Sequence, residues 1–189
     1  GKSAIHGWGM FTKTVHLRNA AVIEYIGEVV RPTTANARER RVYDSLVGAG
    51  TYMFALDENR VVDATKAGSV AHLINHSCQP NCYTRIVYAD GDHHIIIFAL
   101  KDLQPNVELT YDYRFSSDTE LLRCNCGSRK CRGIVNVQDN NGDESFLVHR
   151  EDLTPLDAEA AAALMATPDA LASYMRKKKL KRRVGRGPR

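Results

Sequence analysis

The stretch Asn75-His76-Ser77-Cys78-Gln79-Pro80-Asn81-Cys82 decides the reading of this chain, together with a later run, Cys124-Asn125-Cys126, that is followed by Cys131. The later run offers three thiolates at Cys124, Cys126 and Cys131, and a tetrahedral zinc needs four ligands. Its spacing sits among Gly127, Ser128 and Gly133, residues that let a chain wrap tightly around a metal. Buried thiols seldom cluster in a basic loop such as Ser128-Arg129-Lys130, so one structural zinc is expected. The fourth ligand lies elsewhere in the chain. Cys78, Cys82, His72, His76, His93 and His94 are the candidates. If Cys78 is the ligand, the metal ties the tail to Asn75 and His76 and marks that segment as an active site.

The bulk properties fit one domain. The chain has 189 residues, 43% apolar and 25% charged, the balance of a soluble globular protein with a core. No apolar run approaches the ~18 residues a membrane span needs, so no membrane partner is expected. There is no signal-peptide pattern, and the abrupt start at Gly1-Lys2-Ser3 suggests a piece of something larger. The five cysteines are an odd number and do not suggest a secreted disulfide framework. Four metal ligands plus a spare thiol fit a reduced intracellular protein better.

The net charge of +4 is a property of the tail. Residues 176–189 carry nine Lys or Arg and no acid, which leaves residues 1–175 at −5. The run Lys177-Lys178-Lys179-Leu180-Lys181-Arg182-Arg183 reads as a contact for importin or nucleic acid, or as a solvated, disordered tail.

Short strands are expected at Val22–Tyr25 and Glu28–Val30, around Gly27. A helix is expected from Ala35 to Leu46, ended by Gly48-Ala49-Gly50. Two hairpins follow, Tyr52–Leu56 with Arg60–Asp63, and Tyr83–Tyr88 with His94–Leu100 around Asp90-Gly91. Ser69–Ile74 reads as a short helix running into Asn75, and Val107–Thr110 as a last short strand. Composition changes near 137–140. Beyond it, helix starts stand at Thr154-Pro155 and Thr167-Pro168. The fold class is therefore mainly β with short helices (α+β). The expected divisions are a core domain over 3–115, a zinc-binding segment over 120–136, an acidic, helical extension over 137–175, and the basic tail over 176–189.

Two further constellations carry chemistry. Gly7-Trp8-Gly9 lets a backbone approach a ligand closely, although a plain turn also explains it. In Glu108-Leu109-Thr110-Tyr111-Asp112-Tyr113 the two tyrosines share one face if the strand continues. With Tyr52 and Phe54 they form an aromatic slot suited to a cation or a lysine stem, or an ordinary tyrosine core.

Taken in order, Gly7-Trp8-Gly9, Glu24-Tyr25-Ile26-Gly27, Tyr52-Met53-Phe54, Asp63-Ala64-Thr65, Asn75 to Cys82, Glu108 to Tyr113 and the three-cysteine tail resemble the SET-domain histone lysine methyltransferases with a post-SET zinc motif. The resemblance covers about residues 3–136. Ile5-His6-Gly7, Asp63-Ala64-Thr65, Tyr111 and Gly133-Ile134-Val135-Asn136 resemble the trithorax/SET1 branch. Gly48 to Phe54 and Ala71 to Cys78 are similar to its plant-type members.

The resemblance implies a fold of several small sheets with a knot-like active-site core. It implies S-adenosylmethionine as cofactor, contacted by His6, Trp8, Tyr52, Asn75 and His76, with His76 acting through its backbone or as a buried neutral ring. It selects Cys78 as the fourth zinc ligand, beside Cys124, Cys126 and Cys131. It makes Tyr113 the catalytic tyrosine, with Tyr52 opposite and Tyr111 at the position that limits how many methyl groups are added. The implied substrate is a histone tail peptide, most specifically lysine 4 of histone H3, in nuclear chromatin and with the accessory subunits of a trithorax-type complex. Another histone or non-histone lysine, a catalytically inactive SET-like module that binds peptide or chromatin, and a zinc-stapled nucleic-acid binder are the alternatives. Retention of Tyr52, Asn75, His76 and Tyr113 argues against the inactive forms. The chain departs from many members at His72-Leu73, where they carry Arg-Phe, and at Trp8. The segment before Gly7 is nearly absent, which predicts an incomplete first strand and cofactor pocket.

Overall fold

Residues 1–43, 52–89, 91–115 and 121–137 are described by a computed structural model. Their β-branched and aromatic runs form eight short strands. These are β1 (Ala21–Tyr25), β2 (Glu28–Val30), β3 (Met53–Asp57), β4 (Arg60–Asp63), β5 (Asn75–His76), β6 (Cys82–Ala89), β7 (Asp92–Ala99) and β8 (Thr110–Tyr111). They assemble into three small sheets, ordered β1-β7-β6, β2-β4-β3 and β5-β8. The first two are antiparallel, whereas β5 and β8 run parallel, with Asn75 opposite Thr110 and His76 opposite Tyr111. Both expected hairpins form. Gly91 adopts φ +80° at the second turn, a conformation glycine takes without a Cβ penalty; Asp90 lies outside the described residues.

One α-helix occurs among the described residues, α1 (Pro32–Arg38), followed by a π-helical turn over Glu39–Tyr43. It starts before the expected Ala35 because Pro32 occupies the first helical turn, where its fixed φ helps and its missing N–H costs nothing. Leu46 and Gly48-Ala49-Gly50 lie outside the described residues, as do the predicted helices after residue 150. Arg38 pins the helix to the second sheet, donating to Glu28 at 2.7 and 3.1 Å and to Asp63 at 2.8 Å. Tyr43 donates to the same Asp63 oxygen at 2.8 Å. Burial pushes the Asp63 carboxyl up, but Arg38, Thr65 and Tyr43 together hold it below its ordinary value.

Two expected elements change form. Ser69–Ile74 forms only a 3-10 turn, Val70–Leu73. The strand expected over Val107–Thr110 splits. Residues 107–109 lie beside 10–12, through a Phe11–Glu108 bridge and a Leu109 N–H to Met10 carbonyl bond of 2.8 Å, and only Thr110–Tyr111 pairs with β5. The split delivers Thr110 to the Asn81 loop. Asn81 accepts the Thr110 N–H at 2.8 Å and donates to the Glu108 carbonyl at 2.7 Å, so a buried amide is satisfied at both ends.

The core gathers Tyr25, Leu56, Val62, Ile74, Ile95, Ile97, Leu103 and Leu109 between the sheets. The spare thiol, Cys82, is buried in this core and pushed up to about 11 by burial. No helix among the described residues is long and apolar enough to cross a membrane.

Candidate active site and metal centre

The post-β8 loop turns twice through left-handed glycines, Gly127 (φ +64°) and Gly133 (φ +80°), and folds Cys124, Cys126 and Cys131 back towards Cys78. All four sulfur atoms lie within 4.8 Å of one another, and Cys78 to Cys124 spans 3.7 Å. A tetrahedron built on ~2.3 Å bonds has sulfur–sulfur edges of about 3.8 Å, so the cluster fits such a metal. Hydrogen bonds support individual sulfurs: Arg132 N–H to Cys78 at 3.3 Å, Gly133 N–H to Cys131 at 3.4 Å, and Ser128 Oγ against Cys126 at 3.3 Å. Burial raises the Cys124 thiol; Cys126 is penalised by burial too, but hydrogen bonding with Ser128 pulls it below its ordinary value. Of the other candidate ligands only His76 comes near the four, with Nε2 3.4 Å from Cys78 Sγ, and Cys82 is buried in the core. His72 bonds the Ser69 carbonyl, His93 contacts Arg60, and His94 contacts Glu24.

Next to the cluster opens a cavity of about 370 Å³, within the range of small-molecule sites. His6, Trp8, Tyr52, Asn75, His76, Tyr111 and Tyr113 all line it. Cys124 lines it too, so the cysteine cluster and the cavity share a wall. Tyr25, Leu73, Phe115, Leu122 and Arg123 are lining residues that local sequence patterns do not mark, and His72, a candidate metal ligand by sequence, lines the cavity instead. The His72 ring meets Tyr52 edge-on at 4.8 Å, which gives the unusual His72-Leu73 pair a place in the wall.

Asn75 ties together one part of the cavity wall. Its amide nitrogen faces the carbonyl oxygens of His6 (3.2 Å) and Trp8 (3.1 Å) and the Glu108 Oε1 atom (3.0 Å). Three acceptors fix which end of the amide is nitrogen. Ser3 donates to the same Glu108 oxygen at 2.6 Å. The anchor is therefore Glu108, a residue given no role by the sequence reading; its signal was Gly9. A Cβ on Gly9 would collide with the Glu108 carboxylate, so the second glycine of Gly7-Trp8-Gly9 permits that close approach. The expected incomplete start is partly offset by this turn. Lys2 bridges Trp8, and Gly9 N–H donates to the Gly1 carbonyl at 2.8 Å.

His76 is buried, and its ring state follows from its neighbours. The Tyr113 backbone N–H can only donate, and it meets His76 Nδ1 at 3.1 Å. Nδ1 is thus an acceptor and the ring proton sits on Nε2, 3.4 Å from Cys78 Sγ. Asp112 also approaches Nδ1, at 3.5 Å, but its carboxylate is held by Arg132 at 2.7 and 2.8 Å. The shorter, directional Tyr113 contact decides the tautomer. Burial lowers the His76 pKa, consistent with a neutral ring.

The aromatic slot extends from Tyr25 through Phe54, Tyr111 and Tyr113 to Phe115, with neighbouring ring centroids 4.8 to 6.3 Å apart. Tyr111 and Tyr113 stay together, at 4.8 Å, although the strand ends at Tyr111. Tyr113 donates its hydroxyl to the Ile74 carbonyl at 2.6 Å, and Tyr25 donates to the Tyr52 carbonyl at 2.9 Å. Burial raises the pKa of Tyr25, Tyr111 and Tyr113 above the ordinary tyrosine value, so these hydroxyls stay protonated at neutral pH. No hydrogen bond from another described residue engages the Tyr52 or Tyr111 hydroxyl.

The family model for the SET domain matches residues 7–114. The chain is 58% identical to Histone-lysine N-methyltransferase TRX1 of Oryza sativa subsp. japonica over 154 residues, which is 81% of this chain and 15% of the relative. It is 54% identical to Histone H3-lysine(4) N-trimethyltransferase ATX1 of Arabidopsis thaliana over 162 residues, 84% of this chain and 15% of that one. It is 46% identical over 138 residues to an H3 lysine-4 specific histone-lysine N-methyltransferase of Emericella nidulans, 71% of this chain and 11% of that one. The match thus spans about a seventh of the plant relatives' length. A motif order running from Gly7 to Cys131, a cavity built from those motifs and these identities make the chain a member of the SET-domain family, with high identity to plant trithorax-like proteins.

Proposed function

We propose that this chain is the catalytic segment of an S-adenosylmethionine-dependent protein lysine N-methyltransferase that acts on lysine 4 of histone H3. One observation carries the reading: Asn75, His76, Tyr52, Tyr111 and Tyr113 meet in one cavity that also contains a metal-cluster residue, Cys124. The names of the similar proteins supply the substrate lysine.

S-adenosylmethionine, when bound, supplies a methyl group activated on a sulfonium. The cavity suits such a cation, because it is lined by aromatic rings whose faces attract positive charge. His6, Trp8, Tyr52, Asn75 and His76 hold the cofactor, with Asn75 drawing the 6–8 backbone inward. Tyr113, fixed on the Ile74 carbonyl, orients the reacting groups, and catalysis is mainly alignment. The protonated tyrosines do not remove the lysine proton. The apolar walls lower the ammonium pKa, so the amine loses its proton to solvent. Tyr111 directs a free hydroxyl at the amine and limits successive methylation. Cys78, Cys124, Cys126 and Cys131 hold one structural zinc.

The working divisions are the catalytic domain over 3–115 and the zinc cap over 120–136. The −5 charge of residues 1–175 suits a basic histone tail. Accessory subunits of a trithorax-type complex and a nuclear, chromatin-bound location follow from the same reading, and residues 176–189 supply an importin or nucleic-acid contact. The test is labelled S-adenosylmethionine with a set of histone-tail peptides, beside Asn75→Ala and Tyr113→Phe. Transfer to the H3 tail, lost in both variants, supports the reading. No transfer from a folded, metal-loaded protein, even with accessory subunits, contradicts it.

A further inference from the structure

Two short paths lead from the Cys78 sulfur to Tyr113. In the first, His76 Nε2 faces Cys78 Sγ at 3.4 Å, and His76 Nδ1 accepts the Tyr113 N–H at 3.1 Å. In the second, Arg132 donates its own N–H to the same sulfur at 3.3 Å and forks onto Asp112, the neighbour of Tyr113. The imidazole stands edge-on to the Tyr113 ring, with centroids 5.4 Å apart, and is 5% exposed, so it has little room to turn. Tyr113 is the residue whose placement matters most, and β8 ends before it, so no ladder hydrogen bond holds its N–H.

We propose that His76 is a positioning residue that transmits the geometry of the four-cysteine metal centre to Tyr113. This goes beyond the cofactor contact assigned above and rests on the methyltransferase reading for its catalytic consequence. The side chain works at both ring nitrogens. Nε2–H donates to the ligating sulfur, and Nδ1 supplies the acceptor that a ladder would otherwise give Tyr113. A ring fixed at both ends cannot rotate, so movement of Cys78 moves the Tyr113 backbone. Groups of this kind, one bond removed from a metal ligand, characteristically alter activity when replaced.

The two roles separate by substitution. In His76→Asn the side-chain oxygen takes the place of Nδ1 and keeps the Tyr113 bond, while the donor to Cys78 is lost. In His76→Gln the longer amide reaches the Nε2 place and keeps that donor, while the Tyr113 acceptor is lost. The full chain is loaded with cobalt(II) in place of zinc, and a second sample is labelled with nitrogen-15. The sulfur-to-cobalt absorption band should move to longer wavelength in His76→Asn and stay in place in His76→Gln. The Tyr113 amide proton should move upfield in His76→Gln and stay near its original position in His76→Asn. The rate of methyl transfer should fall roughly 10-fold in each, with the peptide KM unchanged. In the unsubstituted protein the ring proton should sit on Nε2, and stripping the metal should shift the Tyr113 amide. A proton on Nδ1, or a Tyr113 amide indifferent to metal removal, overturns the proposal even if neither variant folds. A protein that shows this spectral coupling but transfers no methyl group keeps the linkage and refutes the methyltransferase reading instead.

Discussion

Both terminal guanidinium nitrogens of Arg132 donate to the Asp112 carboxylate, at 2.7 and 2.8 Å. The pair joins the cysteine loop to the residue between Tyr111 and Tyr113, so that loop and the tyrosine segment are tied together. Side-chain exposures of 35% and 20% keep its stability contribution to about 1 kcal/mol or less. Arg132→Ala should therefore barely change the denaturant midpoint or metal content, yet lower the rate of methyl transfer several-fold. Arg132→Lys should restore little, because an ammonium cannot fork. Full activity in Arg132→Ala would show that the tyrosines do not need this strut.

Asn75→Asp should damage the protein more than Asn75→Ala. The aspartate would place an oxygen against Glu108 and the carbonyls of His6 and Trp8, where only a donor fits. Leaving such groups unpaired costs about 1–3 kcal/mol, and facing charges add to it. Urea unfolding and calorimetric titration with S-adenosylmethionine check this. An aspartate variant as stable and as competent in binding as the parent would contradict the assigned amide orientation.

The Tyr111 hydroxyl, which no other described residue engages, gives a prediction about product. Tyr111→Phe should shift the isolated domain from monomethylated towards di- and trimethylated peptide, read by mass spectrometry. An unchanged ratio removes Tyr111 from the control of methyl number.

Stability should depend on pH through β1 and β7. His94 Nδ1 lies 2.8 Å from Glu24 Oε1, and this bond raises the His94 pKa against the opposing cost of burial, with help from the Ala89 carbonyl and Asp92. A raised histidine pKa stabilises fully below its unfolded value of about 6.5 and loses that contribution as pH rises through the higher folded value. Denaturant melts from about pH 6 to 8 should show the advantage over His94→Gln shrinking with rising pH. An advantage that grows with pH would reverse the assigned sign.

Much of this architecture was legible because its signals are local. The alternation at β6 and β7, the turn at Gly91 and the thiol spacing each follow from a few neighbouring residues. What escaped was long-range. Glu108 becomes the anchor of Asn75 only when residues 1–9 fold across it, and Tyr25 reaches the cavity wall from β1. The Arg132–Asp112 fork spans two segments that no periodicity connects. The last strand is shorter than its pattern predicts because residues 107–109 find a partner in 10–12, a pairing invisible to a pattern read along one segment.

If the four cysteines hold a metal, that centre and the active site should work as one. The most direct measurement of this coupling is methyl transfer from labelled S-adenosylmethionine to an H3 tail peptide, alongside the zinc bound per chain, in the parent and in Cys78→Ser. The variant should lose both zinc and transfer. A variant that lacks zinc and still methylates the peptide at the parent rate would contradict the coupling.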